Sequence, residues 1–346
     1  MKQRFFAGVG VAAGVLGASA LLIPAPAHAD TADALIVPSA GALAESTTAM
    51  FLGGTFQPTP SLAFVGNAER LFLNPLDFAG PAANSLTICN IAGVDAPCDT
   101  ALQVLTTPNL LQFGPSALMG RDIFIDAVEN SYAEGGFDSD NPLTVFAYSQ
   151  SAMALSAAYE TLYDEGNGIP LDALKFVFIG NPSTEAGIAP NIYADLVQLF
   201  GGGSSGEEFT TSLFTITGQT QFLPGGELVG LTPNDLYDTT IYTIEGDGVA
   251  AWQDVWDETL ISQPGNYLGA LGNGLIAFFT NHVEYLGLTP EDIAAGVPTV
   301  DGTITTITLA DSPDALLSLF TNGNADSGVF TALLGTIAAL FDPDFY

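Results

Sequence analysis

Three residue types with the means for acyl transfer stand far apart in this 346-residue chain: a serine, a histidine and a set of aspartates. Ser149 lies in "LTVFAYSQSAMAL" (residues 143–155), between a β-branched, aromatic run and an alanine-rich run. A serine hydroxyl becomes a useful nucleophile when a neighbouring base takes its proton. Ala147 and Ser151 stand two residues to either side of Ser149. Small flanking residues suit a nucleophile elbow, in which the serine sits on a strained strand-to-helix turn with no room for bulk. Glycine is usual at both places. The same residues also read as an ordinary helix with Ser149 as its N-cap. That stretch alone leaves both readings open.

Histidine is the commonest general base near neutral pH. The chain has two, and His28 falls in a leader-like segment, which leaves His282. By itself His282 reads as a satisfied surface histidine at a helix end. Chain order favours chemistry: in α/β-hydrolases the acid lies between nucleophile and histidine, on a loop after a strand. Asp247 in "IEGDGVA" follows the strand-like "TTIYTI" and precedes His282. There it would hold the imidazole tautomer and stabilise the imidazolium. Gly-Asp-Gly is also a common turn, and Asp254, Asp257 and Asp238 are nearby rivals, Asp254 foremost.

An acyl-transfer site also needs backbone N–H groups aimed at the developing oxyanion. One is expected from Gln150, the residue after Ser149. The other is expected from "GGTF" (residues 53–56), where Gly54 permits close approach and Thr55 or Phe56 would donate.

The elements that must carry these residues are legible as alternating strand-like and helix-like runs, the pattern of a mainly parallel sheet covered by helices. Strands are expected in "TAMFLGGTF" (48–56), "LTVF" (143–146), "LKFVFIGNP" (174–182), "TTIYTIEGDG" (239–248) and "TITTITL" (303–309). Helices are expected in 117–135, from about Ser151 to Tyr163, and in the glycine-broken 266–279. Between 183 and 238 the signals weaken. "GGGSSGEE" (201–208) reads as a flexible loop, and the whole span as an insertion or lid. Aromatic residues Phe222, Trp252, Trp256, Phe278 and Phe279 suggest an acyl-chain lining, or plain core.

Residues 1–29 read as a secretory signal: Lys2 and Arg4, an apolar run, then Ala27-His28-Ala29 with cleavage expected before Asp30. Residues 30–346 suit one α/β domain. They hold Arg70, Arg121 and Lys175 against 38 acids. Such a surface repels phosphate backbones and anionic lipid, which argues against nucleic-acid binding. No later apolar run reaches the roughly 18 residues of a membrane span. Cys89 and Cys98 lie close together, and export would favour a local disulfide. No metal or other cofactor is implied.

"FAYSQSAMA", "FVFIGNP", "GDGVA" and "NHVEY", with "LGGTFQPTP" upstream, resemble the PE-PPE domain family of mycobacteria and their relatives. The resemblance runs from about Thr48 to His282. It implies a cutinase-like serine hydrolase of the α/β-hydrolase fold, with Ser149 as nucleophile, Asp247 as acid and His282 as base. Ala147 stands where the family elbow has glycine, and Ala251 where the family has a second aspartate. A signal-like segment stands in place of the family's N-terminal PE or PPE modules.

The expected function is that of an exported serine esterase or lipase acting on acyl esters. An acyltransferase moving fatty chains between trehalose-type envelope glycolipids is the alternative that the resemblance implies. An inactive surface-binding module is a third reading, motivated by Ala147 and Ala251.

Overall fold

A computed structural model describes residues 41–91, 100–164 and 168–321. The leader, Cys98 and the apolar segment from 329 onward fall outside the described residues. Eight strands form one sheet: β1 (Thr48–Leu52), β2 (Ile88–Ile91), β3 (Leu102–Leu105), β4 (Leu143–Tyr148), β5 (Leu174–Ile179), β6 (Thr239–Ile244), β7 (Val297–Asp301) and β8 (Ile304–Leu309). Their order is β2-β3-β1-β4-β5-β6-β8-β7, parallel throughout except where β7 pairs antiparallel with β8. This is the α/β-hydrolase class expected from the sequence.

Strands buried on both faces read as unbroken apolar runs, and β4 is buried at every residue. Side chains then divide by the period of two. Met50, Leu52, Val145, Ala147, Phe176 and Phe178 enter one core layer. Ala49, Phe51, Phe146, Tyr148, Val177 and Ile179 enter the other.

The helices are α1 (Leu62–Ala68), α2 (Phe113–Ala133), α3 (Gln150–Ser156), α4 (Tyr159–Asp164), α5 (Ile188–Leu199), α6 (Gly203–Ile216), α7 (Trp252–Ser262), α8 (Tyr267–Phe279), α9 (Pro290–Ala294) and α10 (Pro313–Thr321). The first face is covered by α2, α3, α4 and α6 through Phe124, Val128, Met153, Leu162 and Phe214. The second is covered by α1, α9, α10 and the short Asn281–Gly287 segment, through Phe64, Ile293, Ala315 and Tyr285.

Two expectations are corrected. The glycine-rich run 201–208 is not a loop throughout, since α6 begins at Gly203. Gly206 lies where α5 and α6 approach closely: a Cβ there would meet the Val197 carbonyl oxygen at 2.4 Å. Its glycine serves packing rather than flexibility. The helix expected from Ser151 to Tyr163 is two helices, α3 and α4. The edge strand β7 carried no signal, because each of its residues is exposed and Pro298 interrupts it, as edge strands tolerate.

Register levels the strand ends that matter: Leu52 pairs with Ala147, Tyr148 with Ile179, and Ile179 with Tyr242. The chain leaving β1, β4, β5 and β6 therefore emerges along one edge of the sheet.

Candidate active site

Ser149 follows β4 directly, with φ 57° and ψ −120°. Its N–H donates to the Ile179 carbonyl at 3.0 Å, and its own carbonyl accepts from Met153 N–H at 3.1 Å. The side chain makes no capping bond to α3. Its Oγ lies 2.8 Å from His282 Nε2. Positive φ in a non-glycine residue is strained and survives where the surroundings impose it. Among the described residues four such positions occur, and three of them, Phe56, Asn109 and Ser149, line this site.

The flanking residues now have reasons. Ala147 is fully buried in the core. Ser151, where an elbow usually has glycine, donates through Oγ to the Gly53 carbonyl at 2.6 Å, tying the elbow to the loop after β1.

His282 is buried just beyond α8. Its ring stacks against Tyr148 at 5.2 Å and Phe278 at 5.5 Å between centroids. The Tyr148 hydroxyl donates to the His282 carbonyl at 2.5 Å. Gly180, at φ 56°, closes β5 against the imidazole, and a Cβ there would lie 2.6 Å from Cε1. The "IGNP" glycine is thus demanded twice, by backbone angle and by space.

His282 Nδ1 lies 2.9 and 3.0 Å from the two carboxylate oxygens of Asp247. Asp247 is fully buried. Its Oδ1 also accepts from Val249 and Ala250 N–H at 2.7 and 3.2 Å, and Oδ2 accepts from the Tyr285 hydroxyl at 2.7 Å. Burial opposes its ionisation, but the His282 charge and the bonds from His282, Tyr285 and Val249 outweigh it. The carboxyl is held below its ordinary value. Gly248 passes so close to α8 that a Cβ would lie 2.2 Å from the Gly274 carbonyl oxygen. Ala251, in place of a second aspartate, is buried and donates its N–H to the Asp247 carbonyl at 2.9 Å.

The rival acids lie elsewhere. Asp238 pairs with Lys175, Asp257 accepts from Gln253 at 2.9 Å, and Asp254 lies in the first turn of α7.

Gly54 packs on the elbow, since a Cβ there would lie 2.8 Å from Tyr148 and 3.2 Å from Ser149 Cβ. Phe56 N–H is committed to the Asn109 carbonyl at 2.8 Å, which leaves Thr55 of the two expected donors. The backbone N–H groups of Thr55 and Gln150 enter no hydrogen bond among the described residues. Asn109, buried and at φ 45°, donates through Nδ2 to the Gly53 and Gln57 carbonyls at 2.9 and 3.1 Å. Sequence reading passed over Asn109, Tyr148 and Tyr285. The signal for Tyr285 was its place three residues after His282, one turn along a helical segment; "TPNLLQ" held none for Asn109 beyond a turn.

Glu284 is also buried near this site. Its Oε2 accepts from Ser312 N–H at 3.3 Å. Burial foremost, then the charges of Asp311 and Asp247, push its carboxyl up to about 7 against the pull of that one bond. The expected acyl lining is partly core instead: Trp252 and Trp256 pack together among α5, α7 and α8, Trp252 donates to Asp195 at 2.7 Å, and Phe222 joins the core under α6.

A hydroxyl, an imidazole and a buried carboxylate in one hydrogen-bonded line can pass a proton from oxygen to nitrogen and hold the resulting charge pair. Residues 90–311 match the PE-PPE domain. The chain belongs to the PE-PPE domain family. The span matched to the PE-PPE domain includes Ser149, Asp247 and His282 and begins after the loop at 53–57.

This PE-PPE chain is 30% identical over 269 residues to the uncharacterized PPE family protein PPE28 of Mycobacterium tuberculosis, and 25% identical over 303 residues to Esterase PE16 of the same organism. The alignments cover 75% and 86% of this chain but 32% and 47% of those proteins. The chain thus spans a third to a half of their length. It is also similar to a solved cutinase-like protein from Cryptococcus sp., with a TM-score of 0.29 and 16% identity over 71% of this chain and 98% of that one.

Proposed function

We propose that this chain is a serine ester hydrolase that works through an acyl-enzyme. The observation that carries the reading is the continuous line from Ser149 Oγ through His282 to Asp247, mounted on a strained elbow. His282 Nε2 takes the Ser149 proton as Oγ bonds to the ester carbonyl carbon. The carbonyl oxygen becomes an anion facing the Gln150 and Thr55 N–H groups. His282 then hands its proton to the departing alcohol as the C–O bond breaks. Water repeats the sequence and releases the acid. Asp247 keeps Nδ1 protonated and offsets the imidazolium charge. The name of Esterase PE16 is in keeping with an ester as substrate. The signal-like residues 1–29 support export.

Turnover of p-nitrophenyl butyrate by wild type, Ser149→Ala and His282→Ala tests this. The expected result is a loss of about 10⁴-fold or more in each variant, with a fluorophosphonate probe labelling wild type and not Ser149→Ala. Equal rates in all three, or no labelling of folded wild type, would overturn the reading in favour of an inactive module. Acyl transfer to a sugar hydroxyl without release of free acid would replace water as acceptor and retain the same residues.

A further inference from the structure

Helix α8 is built the wrong way round for a helix of a water-facing surface. Its buried stripe is small: Ala270, Gly274 and Ala277. Its outward stripe is large and apolar. Leu268 is 71% exposed, Leu275 48% and Ile276 63%. They share one face at i, i+7 and i+8, and between them a Cβ on Gly272 would meet open space. A surface helix ordinarily reverses this arrangement.

Charge sharpens the anomaly. The chain carries 38 acids, yet no acidic or basic residue occurs from 259 to 283 apart from His282 itself. Ile261, at the end of α7, adds to the exposed apolar surface. A second uncharged stretch, residues 100–120, exposes Leu110 and Leu111 in the loop after β3. The first stretch touches the catalytic line and the second the residue that follows Ser149. Phe278 of α8 stacks on His282, and the Leu110 carbonyl accepts from Gln150 Nε2 at 2.9 Å.

Large apolar side chains exposed together on one helix face, as Leu268, Leu275 and Ile276 are, mark an interaction site. An anionic surface would be repelled by the strongly acidic chain, and a cationic one would find no carboxylate within either stretch. We propose that the outward face of α8, with Leu110 and Leu111, seats on the surface of an aggregated, uncharged acyl-ester lipid. The catalytic line would then face the lipid phase directly. The inference rests on the ester hydrolase reading and specifies the physical state of its substrate. Binding would come from apolar area removed from water, as for interfacial helices.

Flotation with phosphatidylcholine vesicles containing triolein tests it, alongside turnover of soluble p-nitrophenyl butyrate. The variant is Leu275→Glu with Ile276→Glu; Val300→Glu, on the exposed edge strand β7, is the control. Wild type and control are expected to float, and the double variant to bind about tenfold less. Its hydrolysis of emulsified triolein should fall in parallel, and its soluble-ester turnover should stay within about twofold. Wild type that does not float, or a double variant that floats as well as wild type, would overturn the proposal. So would a wild-type dimer dissolved by the double substitution, since the face would then bind a second copy. Flotation without any soluble-ester turnover would leave the docking face standing and sink the hydrolase reading alone.

Discussion

The Tyr285 hydroxyl donates to Asp247 Oδ2 at 2.7 Å and accepts from Ile244 N–H at 3.0 Å. It thereby pins the acid's second oxygen to the end of β6, while His282 and two backbone amides hold the first. Hydrogen bonds to charged groups contribute about 1.5–3 kcal/mol. Tyr285→Phe keeps the ring in the core and removes that bond. The expected outcome is a kcat about 10-fold lower with KM unchanged, and a lower Tm. Steady-state kinetics with p-nitrophenyl butyrate and a thermal melt check both, and an unchanged kcat would show that Asp247 is oriented without the phenol.

The assignment of the acid is tested by pairing Asp247→Asn with Asp254→Asn. The first lets Nδ1 take the wrong tautomer and should lower kcat on the order of 10³–10⁴-fold. The second, in the first turn of α7, should leave kcat within about twofold. The reverse pattern would move the role to Asp254.

Asn109 is a positioning residue for the loop that carries Thr55. Asn109→Ala removes three bonds, those donated to the Gly53 and Gln57 carbonyls and the one accepted from the Ser151 hydroxyl, and places alanine at φ 45°. Losing an oxyanion donor outright costs about 10²–10³ in kcat. Loosening its support should cost about 10- to 100-fold, with no change in fluorophosphonate labelling stoichiometry. A variant as fast as wild type would show that the loop holds itself.

Glu284 makes stability depend on pH. Its folded pKa, about 7, lies above the ordinary 4.5, so the native state holds the proton more tightly. That contribution is fully present below about 4.5 and is lost as pH rises through about 7. Glu284→Gln never ionises. Its Tm should therefore gain on wild type as pH rises, by the equivalent of about 3 kcal/mol at most near pH 8, and show no such gain near pH 4. A difference in Tm independent of pH would refute the linkage.

The fold was legible because a parallel sheet buried on both faces demands runs dominated by apolar, aromatic and β-branched residues, and β4, β5 and β6 are such runs, interrupted by Lys175 and a few threonines. The four-residue strands β2 and β3 were too short to show a period, and β7 and the start of α6 were not legible either, because exposed edge residues carry no burial pattern and glycine cannot reveal whether it frees the chain or admits a neighbour. Gly206 does the latter.

For the site, residue type and chain order narrowed the base to one histidine and singled out Ser149 and Asp247 among the candidates. Those are properties of composition, which a linear string records in full. The contacts that orient them take shape only in three dimensions: Asn109 with the loop after β1, Tyr148 against the His282 ring, Gly180 beneath it, and Tyr285 on Asp247, for which the string held only a one-turn spacing from His282. Each depends on distance across the C-terminal edge of the sheet, and strand register sets that distance. The outward face of α8 was hidden for the same reason, since an apolar helix reads as buried until the side on which its neighbours lie is known.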